Sequence, residues 1–104
     1  MSDVEAGAER IREWLVGGNP PAGREVDRLA GDFHRDDLRF RLTLPNGNVV
    51  RLAFAESVVI DRDVQKRMLA ELRALGYVAN DANGGDYAVR DGFIVPNPPE
   101  WEER

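Results

Sequence analysis

The sequence predicts a single small α+β domain, in which helices pack against antiparallel β-structure. Apolar residues recur at helical spacing near the N-terminus and over residues 63–75, and they alternate strictly with polar residues over 38–44. The chain has 104 residues, which is enough for one compact domain but not for two. We expect the domain to span residues 1–95, followed by an extended, proline-rich acidic tail over residues 96–104.

The N-terminal third of the chain predicts two helices. The first is amphipathic, with apolar residues at helical spacing: Val4, Ala8, Ile11 and Leu15. Gly17 and Gly18 end this helix, and Pro20 cannot continue it. The spacing of Val26 and Leu29 then predicts a second, shorter helix that ends near Gly31.

The alternating run Leu38–Leu44 predicts a β-hairpin, because the turn sequence Pro45-Asn46-Gly47 follows it. A three-residue loop pairs apolar residues on one face: Leu42 with Val50, Phe40 with Leu52, and Leu38 with Phe54. The other face of the hairpin then carries three arginines, Arg39, Arg41 and Arg51.

The second half of the chain predicts a third helix followed by strands. Residues 58–60 extend a strand or form a bend, and the helix runs from Asp63 to Leu75, capped by Asp61 or Asp63 and ended by Gly76. Tyr77–Ala79 predicts a strand that returns through Tyr87–Val89, and a turn then leads into Phe93–Val95.

Residue counts exclude several kinds of chemistry. The chain has no cysteine, which excludes disulfides, thiolate metal sites and a cysteine nucleophile. His34 is the only histidine, so a zinc site with two histidines cannot form within one chain. Gly18–Gly23 has the glycines of a phosphate-binding loop but lacks the lysine and hydroxyl that follow them. We therefore expect a protein that is not an enzyme and has no metal or cofactor.

The charge and the N-terminal sequence indicate where the protein acts. A formal net charge of −5 and a pI near 4.8 disfavour general attraction to nucleic acid or anionic lipid. The first residues are acidic where a signal peptide would be basic and then apolar. The sequence predicts a cytoplasmic protein without a membrane partner.

The charge is distributed unevenly along the chain. Residues 35–75 carry a balance of +2, against −3 for residues 1–34 and −4 for residues 76–104. Arg62, Lys66 and Arg73 form a basic stripe on the third helix, opposite its apolar face and with Arg67 beside them. This stripe and the three hairpin arginines are candidate partner-binding residues. The alternative is two separate solvated faces, neutralised by nearby acids.

Trp101 is a further candidate, because nothing local buries a tryptophan in a proline-rich acidic tail. It either docks on its own domain or binds a partner.

These observations favour a small protein-binding regulator, inhibitor, immunity protein or chaperone-like adaptor, and open sheet edges would also allow a homodimer. The first alternative is a winged-helix DNA-binding protein that uses helix 63–75 and the hairpin 77–89. The second is an enzyme built on carboxylates such as Asp36, Asp61 and Asp63.

Overall fold

The computed structural model describes residues 3–17, 24–29 and 37–99, which adopt an α+β fold, as the sequence predicts. The elements in these parts of the chain are α1 (Asp3–Val16), β1 (Glu25–Arg28), β2 (Asp37–Thr43), β3 (Val49–Ala55), α2 (Glu56–Ile60), α3 (Arg62–Leu75), β4 (Gly85–Arg90) and β5 (Phe93–Pro96). The strands form one mixed sheet in the order β1-β2-β3-β4-β5. The three helices pack on one face of it, because their apolar residues share a single core with β2, β3 and β4.

The β2–β3 hairpin confirms the predicted register. Leu42 lies opposite Val50, Phe40 opposite Leu52, and Leu38 opposite Phe54, and these six side chains are fully buried. The Leu44 amide donates to the Asn48 carbonyl oxygen at 2.8 Å, which closes the three-residue loop. Gly47 has a φ of 89°, a conformation that L side chains rarely adopt, so the loop needs glycine there.

β1 corrects the prediction of a second short helix. Glu25–Arg28 pairs antiparallel with β2, which places Val26 opposite Leu42. Pairing with β2 provides hydrogen-bond partners for the backbone of this four-residue segment, whereas an isolated helix of that length would be only marginally stable. The remainder of the predicted helix, from residue 30 onward, lies outside the described residues.

α2 corrects the prediction of a strand or bend at residues 58–60. Val58 and Val59 are both fully buried. Neighbouring residues of a strand point to opposite faces of a sheet, and the helices cover only one face. A strand at residues 58–60 would therefore expose one of the two valines. The short helix instead packs both of them against α1, α3 and the sheet.

α3 and the C-terminal strands are partly as predicted. Asp61 caps α3, Gly76 ends it in the left-handed conformation, and the turn at Asp91-Gly92 joins β4 to β5. The predicted strand at Tyr77–Ala79 is wrong, because these residues form turns that place Val78 in the core. β4 therefore pairs parallel with β3 and not with residues 77–79, and the predicted hairpin 77–89 is absent.

Ala8, Ile11, Leu15 and the six paired apolar residues of the hairpin are buried in the core, as their spacing predicts, while Val4 and Tyr87 are only partly buried against it and Leu29 is half-buried. The core also includes four residues that the sequence pattern did not place there: Leu44, Val58, Val59 and Val78. Phe40 and Phe54 meet edge to face at its centre, with their ring centroids 6.0 Å apart.

Three contacts hold the helices in place. α1 and α2 meet at Gly7, where an added Cβ atom would overlap the carbonyl oxygen of Val59 and lie 2.9 Å from its carbonyl carbon. Gln65 of α3 is buried, and its Nε2 donates to that same carbonyl oxygen at 3.1 Å. Arg10 of α1 donates from Nε to Gln65 Oε1 at 3.1 Å. This network fixes α1 beside α3.

Candidate functional site

A groove of about 510 Å³ runs between α1 and α3 on the outer side of the helical layer. We call it the α1–α3 groove; it is lined by Arg10 and Trp14 of α1 and by Arg62, Asp63, Gln65, Lys66 and Leu69 of α3. Its base includes the buried Gln65 and Leu69, and its rim carries the exposed ends of Arg62 and Lys66. The groove thus combines an apolar and aromatic lining with a basic rim.

Helical spacing brings these side chains together. Arg10 and Trp14 are four positions apart, so they lie one above the other on the flank of α1 that faces α3. On α3, the spacing of Arg62, Lys66 and Leu69 places them on the flank that faces α1. The sequence predicts Arg62 and Lys66 as site residues but not Arg10 and Trp14, although the i, i+4 spacing of these two beside the apolar stripe of α1 was a usable signal.

The positive charge of the groove is weakly compensated. Among the residues that the structure describes, Arg62 and Lys66 form no ion pair, and Arg10 is held by the neutral side chain of Gln65. Asp63 is the acidic residue of the described lining. Three cations face one carboxylate, and the groove is therefore electropositive in a chain whose net charge is −5.

Arg73 extends this basic flank by lying over the ring of Trp14. The guanidinium carbon is 5.0 Å from the ring centroid, which is within the range of a cation–π contact. All three members of the predicted stripe, Arg62, Lys66 and Arg73, thus lie on the flank of α3 nearest to α1.

The structure corrects two details of the predicted stripe. It borders the apolar face of α3 and is not opposite to it, because Arg62 and Lys66 share the groove with Leu69. Arg67 does not lie beside it: its guanidinium donates to Asp91 at 3.3 Å, in the turn between β4 and β5.

The arginines of the β2–β3 hairpin lie on the opposite side of the molecule. Arg39, Arg41 and Arg51 alternate with the buried residues of their strands, so they point to the face of the sheet that the helices do not cover. The helix stripe and the hairpin arginines therefore form two surfaces, and the hypothesis of a single basic patch is wrong.

Acidic neighbours also neutralise much of the hairpin surface. Arg41 and Arg51 are directly opposite each other, and each has a carboxylate on its outer side. Asp27 accepts from Arg41 at 2.9 Å, and Asp86 accepts two hydrogen bonds from Arg51, both at 2.7 Å. Across the adjacent strands β1 to β4, one row of side chains therefore consists of an acid, two arginines and a second acid. This makes the open face of the sheet a weaker candidate for an acidic partner than the α1–α3 groove.

The edges of the hairpin are not free either, because β1 pairs with β2 and β4 pairs with β3. The outer strand β5 ends at Pro96, which cannot donate a backbone hydrogen bond. Addition of a partner strand is therefore disfavoured at the β5 edge.

Asp61, one of the carboxylates considered for catalysis, acts as a helix cap. Its Oδ1 accepts from the amides of Asp63 and Val64 at 2.9 and 3.2 Å. Three other residues singled out in the sequence, His34, Asp36 and Trp101, lie outside the described residues. Within the described parts of the chain, no three side chains of the usual metal-ligating types cluster.

None of the helices in the described ranges is both long and apolar enough to span a lipid bilayer. In comparisons with known proteins, no family model matches the chain, and neither a curated protein nor a solved structure shows significant similarity to it.

Proposed function

We propose that this protein is a non-enzymatic binding module, and that its α1–α3 groove binds an acidic segment of a protein partner. The observation that carries the proposal is the combination of three cations, Arg10, Arg62 and Lys66, with the apolar surface of Trp14 and Leu69. Carboxylates of the segment would pair with the cations at the rim, while one large apolar side chain would contact the tryptophan.

Several features favour a protein segment over nucleic acid as the partner. The net charge of −5 opposes the approach of a polyphosphate, whose binding depends on many simultaneous phosphate contacts. A recognition helix must also enter the major groove, whereas α1 lies beside the basic flank of α3. The hairpin that would have formed the wing at residues 77–89 is absent. The winged-helix hypothesis stays the alternative, and the DNA oligonucleotide in the experiment below tests it.

Whether the module acts as a regulator, an inhibitor, an immunity protein or a chaperone-like adaptor depends on the identity of its partner. The cytoplasmic location and the homodimer stay predictions from the sequence. The mass of the protein in solution, measured by light scattering after gel filtration, tests the homodimer.

The test of the groove uses a synthetic acidic peptide with one central leucine or phenylalanine. Its lysine-for-glutamate counterpart and a single-stranded DNA oligonucleotide serve as comparison ligands. Backbone amide chemical shifts of ¹⁵N-labelled protein locate each binding site and give its Kd. We expect saturable shifts confined to α1 and α3 with the acidic peptide and none with the lysine peptide.

Two variants of α3 then separate a specific groove from general electrostatics. Lys66→Glu should weaken binding of the acidic peptide by about tenfold or more, since a rim cation becomes an anion. Arg67→Glu makes the same charge change on the other flank of the helix and should alter the Kd by less than about twofold. Equal losses in the two variants, shifts on the open face of the sheet, or tighter binding of DNA would contradict the proposal.

A further inference from the structure

A second, smaller cavity of about 250 Å³ shares Trp14 with the α1–α3 groove. Two arginines line it, Arg24 just before β1 and Arg73 near the end of α3. Its other described lining consists of Trp14, Gly17 and residues 78–80, the last of which is Asn80. Because no carboxylate is among the described lining residues, the cavity is a basic site distinct from the groove.

Arg24 is held in place by backbone oxygens. Its Nη1 donates to the carbonyl of Leu15 at 3.0 Å, and its Nη2 donates to the carbonyl of Val78. These bonds connect the end of α1 to the turns after α3, and they fix the plane of the guanidinium. The Nε atom, by contrast, is buried and has no hydrogen-bond partner. A buried donor left without an acceptor destabilises the fold.

The second arginine adds uncompensated charge. Arg73 contacts the ring of Trp14, and among the described residues it forms no ion pair. Burial, and to a smaller extent the charge of Arg73, lower the pKa of Arg24, although an arginine stays protonated at neutral pH.

We infer that this cavity binds an oxyanion, either a carboxylate or a phosphate group, between Arg24 and Arg73. Such a group would compensate two positive charges at once. The size is suitable, because a phosphate or carboxylate needs the room of only a few water molecules, each of about 30 Å³ in the liquid. Asn80 adds a neutral side chain that can donate a further hydrogen bond.

This inference does not depend on the proposed function. Arg24 and Arg73 are not among the residues that line the α1–α3 groove, and the two cavities share Trp14 alone among their described lining residues. A peptide that fills the groove could place one carboxylate in the smaller cavity, but a free anion could occupy it equally well.

The experiment follows the arginine Nε–H resonances of ¹⁵N-labelled protein during titration with inorganic phosphate and, separately, with acetate. Sodium chloride at matched ionic strength is the reference. We expect the Arg24 Nε–H signal to shift in a saturable manner. Saturation by phosphate alone identifies a phosphate site, by acetate alone a carboxylate site, and by both a general oxyanion site. No saturable shift, or the same shift with chloride, would refute the inference.

Variants show whether the two arginines act together. Arg73→Gln should raise the anion Kd by about tenfold, while Arg67→Gln, the same change on the other flank of α3, should leave it within about twofold. Arg24→Lys removes the Nε donor but also the contacts to Leu15 and Val78, so Arg73→Gln carries the test if that variant unfolds. Equal affinities in wild type and Arg73→Gln would overturn the inference. Lys66→Glu should leave anion binding nearly unchanged, so a failure of the groove proposal is seen separately.

Discussion

Replacing Gly7 by alanine tests the contact on which the arrangement of the helices depends. In a solvent-exposed helix this change stabilises the protein by about 1 kcal/mol, because alanine has the higher helix propensity. At Gly7 the added methyl group would overlap the carbonyl oxygen of Val59 and contact its side chain at 2.9 Å. α1 and α2 must therefore move apart.

The size of the effect follows from what that movement disrupts. Overpacking a tight contact costs about 1–3 kcal/mol, and the upper end applies because the atoms in the way are backbone. Gln65 Nε2, which donates to the Val59 carbonyl oxygen at 3.1 Å, would lose a buried hydrogen bond of about 1 kcal/mol. After the gain in helix propensity, the free energy of unfolding should fall by about 3 kcal/mol, which lowers Tm by roughly 12–24 °C.

Urea unfolding followed by circular dichroism measures this loss, with an unchanged m value showing that the two-state transition is kept. Gly47→Ala is the matched control, since nothing lies within 4 Å of the added Cβ and the cost comes from its φ of 89° alone, about 1–2 kcal/mol. If Gly7→Ala proved no more destabilising than Gly47→Ala, the close approach of α1 and α2 would be disproved.

Two further changes test single interactions. Asp61→Ala removes the side chain that accepts from the Val64 amide, and it should cost about 1 kcal/mol in urea unfolding; an effect near zero would show that the cap does not stabilise α3. The hydrogen bond and the charge of Arg28 lower the pKa of Glu5, so the pair stabilises the fold above the ordinary pKa of 4.5, and this stabilisation disappears as the pH falls through the lowered value. Glu5→Gln should therefore be less stable than wild type at neutral pH and equal to it at strongly acidic pH. Glu9→Gln on the same helix serves as the control. A difference in stability between Glu5→Gln and wild type that does not vary with pH would exclude the ion pair as its cause.

The sequence predicts best those parts of the fold that neighbouring residues determine. The register of the β2–β3 hairpin follows from alternation and a three-residue turn, since a shift by one residue would put arginines into the core. The end of α3 at Gly76 and its cap at Asp61 are likewise local signals. The arginine face of the hairpin follows directly from the same register.

The remaining features depend on contacts between distant segments. β1 has four residues, and its pairing with β2 overrides the helical spacing of Val26 and Leu29. Parallel pairing of β4 with β3 needs the crossover through α2 and α3, which no local pattern specifies. The α1–α3 groove and the cavity beside Trp14 each combine residues from opposite halves of the chain, and of these residues the sequence pattern predicted Arg62, Lys66 and Arg73.

The parallel pairing of β3 with β4 has a consequence for the order of folding. The strands of the β2–β3 hairpin are neighbours in the chain, but Arg51 and Asp86, which join β3 to β4, are 35 positions apart. Closing the longer loop costs more chain entropy, so we expect the hairpin to form early and β4 to dock after α2 and α3 have packed. In native-state hydrogen exchange, β4 and β5 should consequently open as one unit at a lower free energy than the hairpin beside them.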